Sequence, residues 1–126
     1  MANAKYDEFR VALAKADLDL EFATLDLVAL DDSYAFDAEH SAADLVGVLD
    51  TVTLANQAVD AAGWLTSDEA TFTGLGVGND VAAFVLREQA GVLIAFIDTM
   101  SGQPVNIPGD GTDVTIHPPL EGWLRV

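Results

Sequence analysis

The chain has 126 residues, enough for one domain burying about two thirds of its unfolded surface, and 51% are hydrophobic, which excludes a disordered chain despite 21 carboxylates against five Lys and Arg. A formal charge of −16 repels phosphate backbones and anionic bilayers, so neither nucleic acid nor a membrane is an expected partner. The absence of cysteine excludes disulfides and thiolate metal sites, the opening MANAKYDEFR lacks the apolar run of a secretion signal, and stretches such as 92–97 are too short to cross a bilayer.

From Asn3, a suitable N-cap, Tyr6, Phe9, Leu13 and Ala16 recur at helical spacing. Asp7 and Glu8 in the first turn and Lys15 near the end suit the helix dipole. This predicts a short amphipathic helix that forms an N-terminal arm over residues 1–17, with residues 18–126 as a single β-sandwich-like domain. The period then changes to two: Leu18, Leu20 and Phe22 alternate with Asp19 and Glu21, and a mostly apolar run through Leu25, Leu27 and Val28 predicts a first strand ending near Leu30. Within 39–49, Ala42, Leu45, Val46 and Leu49 lie three and four residues apart, and Ser41 stands where a cap belongs, so one short inserted helix is expected.

Further strands are expected at 51–54, 70–73, 81–87, 92–98, 114–117 and 123–126, each bounded by Gly, Pro, Asn or Asp, whereas 56–69 shows no clear strand. The segment VAAFVLREQAGVLIAFIDT reads as a hairpin turning at 88–91; its second run is apolar on both faces, which puts it at the middle of the fold. SGQPVNIPGDGTD reads as a long surface connection. The expected fold class is mainly β: a β-sandwich-like domain with a short N-terminal helix and one short inserted helix.

Few residues suggest chemistry. GLGVGN resembles a phosphate-binding glycine loop, but Asn79 stands at the third glycine position and a strand follows instead of a helix, so a turn is expected. DGTD resembles the start of a calcium loop, yet Val114 falls where a ligand belongs and no glutamate closes the loop, which leaves a hairpin turn. His40 and His117 are the only imidazoles, without a nucleophile at a recognisable spacing. In DLVALDDSYAFDAEHSAADLVG, the groups Asp31, Asp32, Asp37, Glu39 and His40 would suit a hard cation if they converged. With one acid in every six residues, such clusters arise from composition alone, so a solvated elbow is the favoured reading. Accordingly, no catalytic residue, cofactor or metal ligand is assigned.

The order FRVALAKADLDLEFATLDLVALDDSYAFDAEHSAADL, then AAFVLREQAGVLIAFIDT, then TDVTIHPPLEGWLRV resembles a family of small tailed-virus (phage-like) virion structural proteins, those of head decoration and minor capsid type. The resemblance implies a β-sandwich-like fold and a non-enzymatic place in the virion, bound to the major capsid protein or a neighbouring virion protein; a homo-oligomer is expected from the apolar stripe Tyr6, Phe9 and Leu13 on the N-terminal helix. The segment 56–69, where relatives would carry a strand, and the strongly negative charge depart from the family pattern. Interface candidates are the apolar stripe Tyr6, Phe9 and Leu13 and the aromatics Tyr34, Phe36, Trp64 and Trp123, with the competing reading that at least two of these four aromatics are core residues. The alternatives are a tail, turret or fibre-anchoring component, a glycan- or cell-surface-binding module, and a metal-dependent hydrolase built on the elbow carboxylates. Fifteen aspartates and only two lysines fit a halophilic protein, and equally an ordinary acidic protein of a GC-rich genome.

Overall fold

Residues Leu25–Leu30 are buried without exception, the pattern of a strand covered on both faces. The computed structural model describes residues 4–73, 75–89, 91–100, 103–119 and 122–125. In chain order it contains β1 (Ala4–Lys5), α1 (Asp7–Ala14), β2 (Leu25–Leu30), a 3-10 turn (Ala42–Asp44), β3 (Val48–Thr53), β4 (Ala58–Val59), β5 (Trp64–Thr66), β6 (Ala70–Phe72), β7 (Ala83–Glu88), β8 (Leu93–Ile97), β9 (Thr99–Met100), β10 (Gln103–Pro104), β11 (Val114–Ile116) and β12 (Leu124–Arg125). A five-stranded sheet in the order β1-β8-β7-β2-β3 is accompanied by the smaller sheets β12-β5-β4, β11-β6 and β10-β9, with antiparallel pairing throughout. The protein is therefore mainly β, with antiparallel sheets packed together, one short N-terminal helix and a 3-10 turn.

The large sheet separates two apolar layers. On one side Leu25, Leu27, Ala29, Phe84 and Leu86 meet Leu65, Phe72, Ile116 and Trp123 from the smaller sheets. On the other, Val28, Leu30, Val85 and Phe96 are covered by Tyr6 and Tyr34, with Phe36, Ala42 and Leu45 at the margin. Each large apolar side chain so buried contributes roughly 1.5–3 kcal/mol. The β7-β8 hairpin lies inside the sheet, as its two apolar faces require; it turns with Glu88 N–H donating to Val92 O (2.8 Å) and Gly91 N–H to Glu88 O (2.8 Å).

The N-terminal segment differs from the expected arm. Tyr6 and Phe9 are completely buried, and Ala4–Lys5 pair with Phe96 and Ala95 as a strand of the sheet. Helix α1 packs against β8, where the Glu8 carboxylate accepts the Leu93 N–H. Edge pairing thus takes the residues that would have formed the first turn, so Tyr6 stands at the N-cap position, without a side-chain cap bond; the expected cap, Asn3, lies outside the described residues.

Three other segments depart from their local pattern. Between 18 and 22 the alternation does not make a strand: Asp19 captures the Glu21 N–H with its side chain (3.0 Å) and the Ala23 N–H with its carbonyl (2.8 Å), winding the chain into a turn. The inserted helix is only the 3-10 turn, because Leu45 is extended, Gly47 has φ +69°, and Val48 already pairs with Leu30 in β3. Ser41 does stand at the cap, its N–H donating to Asp44 Oδ2 (2.9 Å). Conversely, 56–69 contains the short strands β4 and β5, and within the surface connection β10 folds back onto β9.

Candidate functional site

The elbow after β2 is shaped by carboxylates turned onto the local backbone. Asp31 accepts from the Ser33 N–H (2.9 Å) and hydroxyl, and Asp37 from the Glu39 N–H (2.9 Å). The Ser33 hydroxyl and then its N–H hold Asp31 below the usual carboxylate range, and the Ser41 N–H does most to lower Asp44. Gly47 lets this loop close onto β3: a Cβ there would strike the Asp31 carboxylate and the Ser33 hydroxyl. Asp31 and Asp32 line an open cleft of about 330 Å³ with Asp80, Asn79 and Asn106. Among the described residues, however, no group of three or more His, Asp or Glu side chains is placed to hold a metal ion, and His40 turns instead to the aromatic layer.

There the elbow builds a chain of polar contacts inside an apolar cluster. Tyr6 and Tyr34 share a hydrogen bond between hydroxyls (2.8 Å), and the Tyr34 hydroxyl meets His40 Nδ1 (2.9 Å). Burial is the main cause that pushes both phenols above the ordinary tyrosine value. Rings pack around them: Tyr6 edge-on to Phe36 at 5.1 Å, and Phe96 against Phe36 at 5.3 Å and Tyr34 at 5.8 Å. The elbow is a cover for the outer face of the sheet, and the network holds it down.

This placement corrects much of the expected interface. Tyr6, Phe9, Tyr34 and Trp123 are buried, and Phe36 and Leu13 are half-buried against the cores they help to close. Tyr6, Tyr34 and Phe36 do come together, but inward. Of the seven candidates, Leu13 and Trp64 are half-buried at open concavities, Leu13 at one between α1 and Val59, and Trp64 at one where it is joined by Trp123, whose Nε1 donates to Ser67 Oγ (2.8 Å).

The concavity at Trp64 is a groove of about 180 Å³ between β1, the edge of the large sheet, and β12, the edge of the three-stranded sheet. Its floor is Trp64, Trp123, Leu124 and Ala95, and its charged lining residues are Lys5 and Arg125. Arg125 is steadied by its Nε–H bond to Ala62 O (3.0 Å). These are two of only five cations in the chain, and among the described residues no carboxylate lines the groove with them. Sequence reasoning singled out both tryptophans and missed both cations; the available signal was the scarcity of Lys and Arg.

The remaining motifs are structural. GLGVGN makes a turn, with Asn79 N–H donating to Gly76 O (3.0 Å), and its neighbour Gly109 fits where a Cβ would strike the Gly76 and Asn79 carbonyls; Gly74 lies outside the described residues. In DGTD, Asp110 accepts from the Thr112 hydroxyl and N–H, which lower it, but the strand that follows pairs with β6 and does not form the expected hairpin. His117 Nδ1 lies 3.1 Å from Glu69 at the exposed surface. No family model matches the chain, and no curated protein or solved structure is significantly similar to it.

Proposed function

We propose that the chain is a non-enzymatic virion structural protein of a tailed virus, a capsid decoration (cement) protein that binds the major capsid protein through the groove between β1 and β12. The observation that carries this reading is the groove itself, an apolar, tryptophan-floored concavity at two sheet edges whose charged lining residues, among those described, are cationic on an otherwise acidic protein. Tryptophan and arginine are the residues in which binding energy concentrates. The ordered sequence resemblance supports the place in the virion, and a tail, turret or fibre-anchoring position would present the same surface to a different neighbour.

The test is co-sedimentation of purified protein with particles stripped of accessory proteins. Wild type should bind, and Trp64→Ala, which removes a half-buried side chain, should weaken binding roughly thirtyfold, as expected for the loss of about 2 kcal/mol at a hot spot. Unchanged binding by the folded variant would move the docking surface elsewhere. A second reading is favoured by the same indole: Trp64 beside Lys5 and Arg125 would suit an acidic glycan, and binding to a uronate-bearing array without binding to particles would select it.

A further inference from the structure

The reading of the groove as a docking surface leaves open what fills it, and the inference that follows rests on that reading. We propose that the occupant is an extended, acidic segment of a partner protein, added as a strand along the free edge of β1.

The backbone supplies the first argument. Ala4 pairs with Phe96 and Lys5 with Ala95, and the Tyr6 N–H donates to Ile94 O (3.1 Å). Antiparallel pairing alternates, so Ala4 and Tyr6 face β8 while the N–H and C=O of Lys5 point away from it, toward the open edge. Farther along the same edge the Asp7 N–H is already taken by Ala38 O of the elbow (2.8 Å), which among the described residues leaves Lys5 as the open position beside the groove. An added strand would satisfy these groups, and its alternate side chains would point to the floor of Trp64 and Trp123.

Charge supplies the second argument. Among the described residues, the charged ones lining the groove are Lys5 and Arg125, so a strand with carboxylates flanking an apolar side chain is complementary, and a basic strand is repelled. The same facts argue against a second copy of this chain. Two copies at −16 repel each other, and the opposite edge of the large sheet is guarded. Strand β3 pairs with β2 through Asp50 opposite Ala29 and Val52 opposite Leu27, which turns the Thr51 N–H outward, and Asp50 Oδ1 accepts that N–H (2.8 Å). A carboxylate that both caps and charges an edge is a device against strand addition; β1 carries no such carboxylate.

The probes are three synthetic extended peptides of one length, alternating valine with glutamate, glutamine or lysine, titrated into the full-length protein while backbone amides and indole signals are followed by NMR. The glutamate peptide should shift the Lys5 amide and the Trp64 indole and slow hydrogen exchange at Lys5. It should bind at least about tenfold more tightly than the glutamine peptide, and the lysine peptide should not bind. Lys5→Gln combined with Arg125→Gln, checked for an unchanged melting temperature, should abolish the preference for glutamate; a variant that does not fold is replaced by Lys5→Gln alone, read in the same way. Equal binding of all three peptides, shifts confined to residues away from the groove, or a dimer dissolved by Lys5→Gln would overturn the proposal. If the glutamate peptide fails while Trp64→Ala still weakens particle binding, the acidic strand is wrong and the docking surface stands.

Discussion

Tyr6 and Tyr34 are the only phenols in the chain, and they are hydrogen-bonded to each other beneath the elbow. Ionising either one would place a charge in an apolar layer, which is why burial raises both. The neutral forms are the ones the fold favours, so their contribution to stability is complete below the ordinary tyrosine value of about 10 and is lost as pH rises through the higher folded values. Phenolate absorbance should therefore stay flat through pH values at which free tyrosine titrates and appear together with loss of tertiary structure. An ordinary titration in the folded protein would mean that the hydroxyls are open to solvent. Through His40 the Tyr34 hydroxyl also ties the start of the elbow to its end.

At the scale of elements, β1 and α1 act as one piece with the sheet. Phe9 is fully buried among the main core residues, and Tyr6 among those under the elbow, so the segment is shared by both apolar layers. Truncating Phe9 to alanine should cost about 3–5 kcal/mol, a large part of the roughly 5–15 kcal/mol that holds a small domain together. Denaturant unfolding of Phe9→Ala would measure this, and removal of residues 1–16 should leave a chain without cooperative unfolding. A truncated chain that melts as wild type does would restore the independent arm. A second cross-element tie sits at the far end of the sheet, where Asp26, only 3% exposed, faces Arg87 on β7 at 3.8 Å and accepts the Thr53 hydroxyl from β3 (2.8 Å). A buried carboxylate requires such partners, and these three side chains align neighbouring strands β7, β2 and β3.

For the whole molecule, 21 carboxylates crowd a small surface, and their mutual repulsion opposes the compact state. The Debye length falls from about 10 Å at 0.1 M salt to about 3 Å at 1 M, so added salt removes much of this repulsion. The melting temperature should rise from dilute buffer to molar salt. It should do so in sodium chloride and also in a weakly salting-out salt of equal ionic strength, which separates screening from the general strengthening of apolar burial. A flat response in both would show that the charge is spread widely enough to cost nothing and would remove the halophilic reading.

Taken alone, the sequence determined the mainly β class, the central hairpin at 88–91, the turns at Gly76–Asn79 and Asp110–Thr112, and the acidic surface. These follow from composition, period and turn chemistry, which act over a few residues. Pairing between distant segments decided the rest. Residues 4–5 read as the start of a helix and became a strand because Phe96 and Ala95 offered an edge; residues 45–49 read as helix and instead turn at Gly47 into β3, where Asp31 binds Gly47 and Leu30 pairs with Val48. The aromatics look alike in sequence, and only the fold turned Tyr6, Tyr34 and Phe36 inward while leaving Trp64 at a groove. That groove joins residue 5 to residues 64 and 123–125, and no local pattern carries such a juxtaposition, because it arises only where the edges of two separate sheets meet.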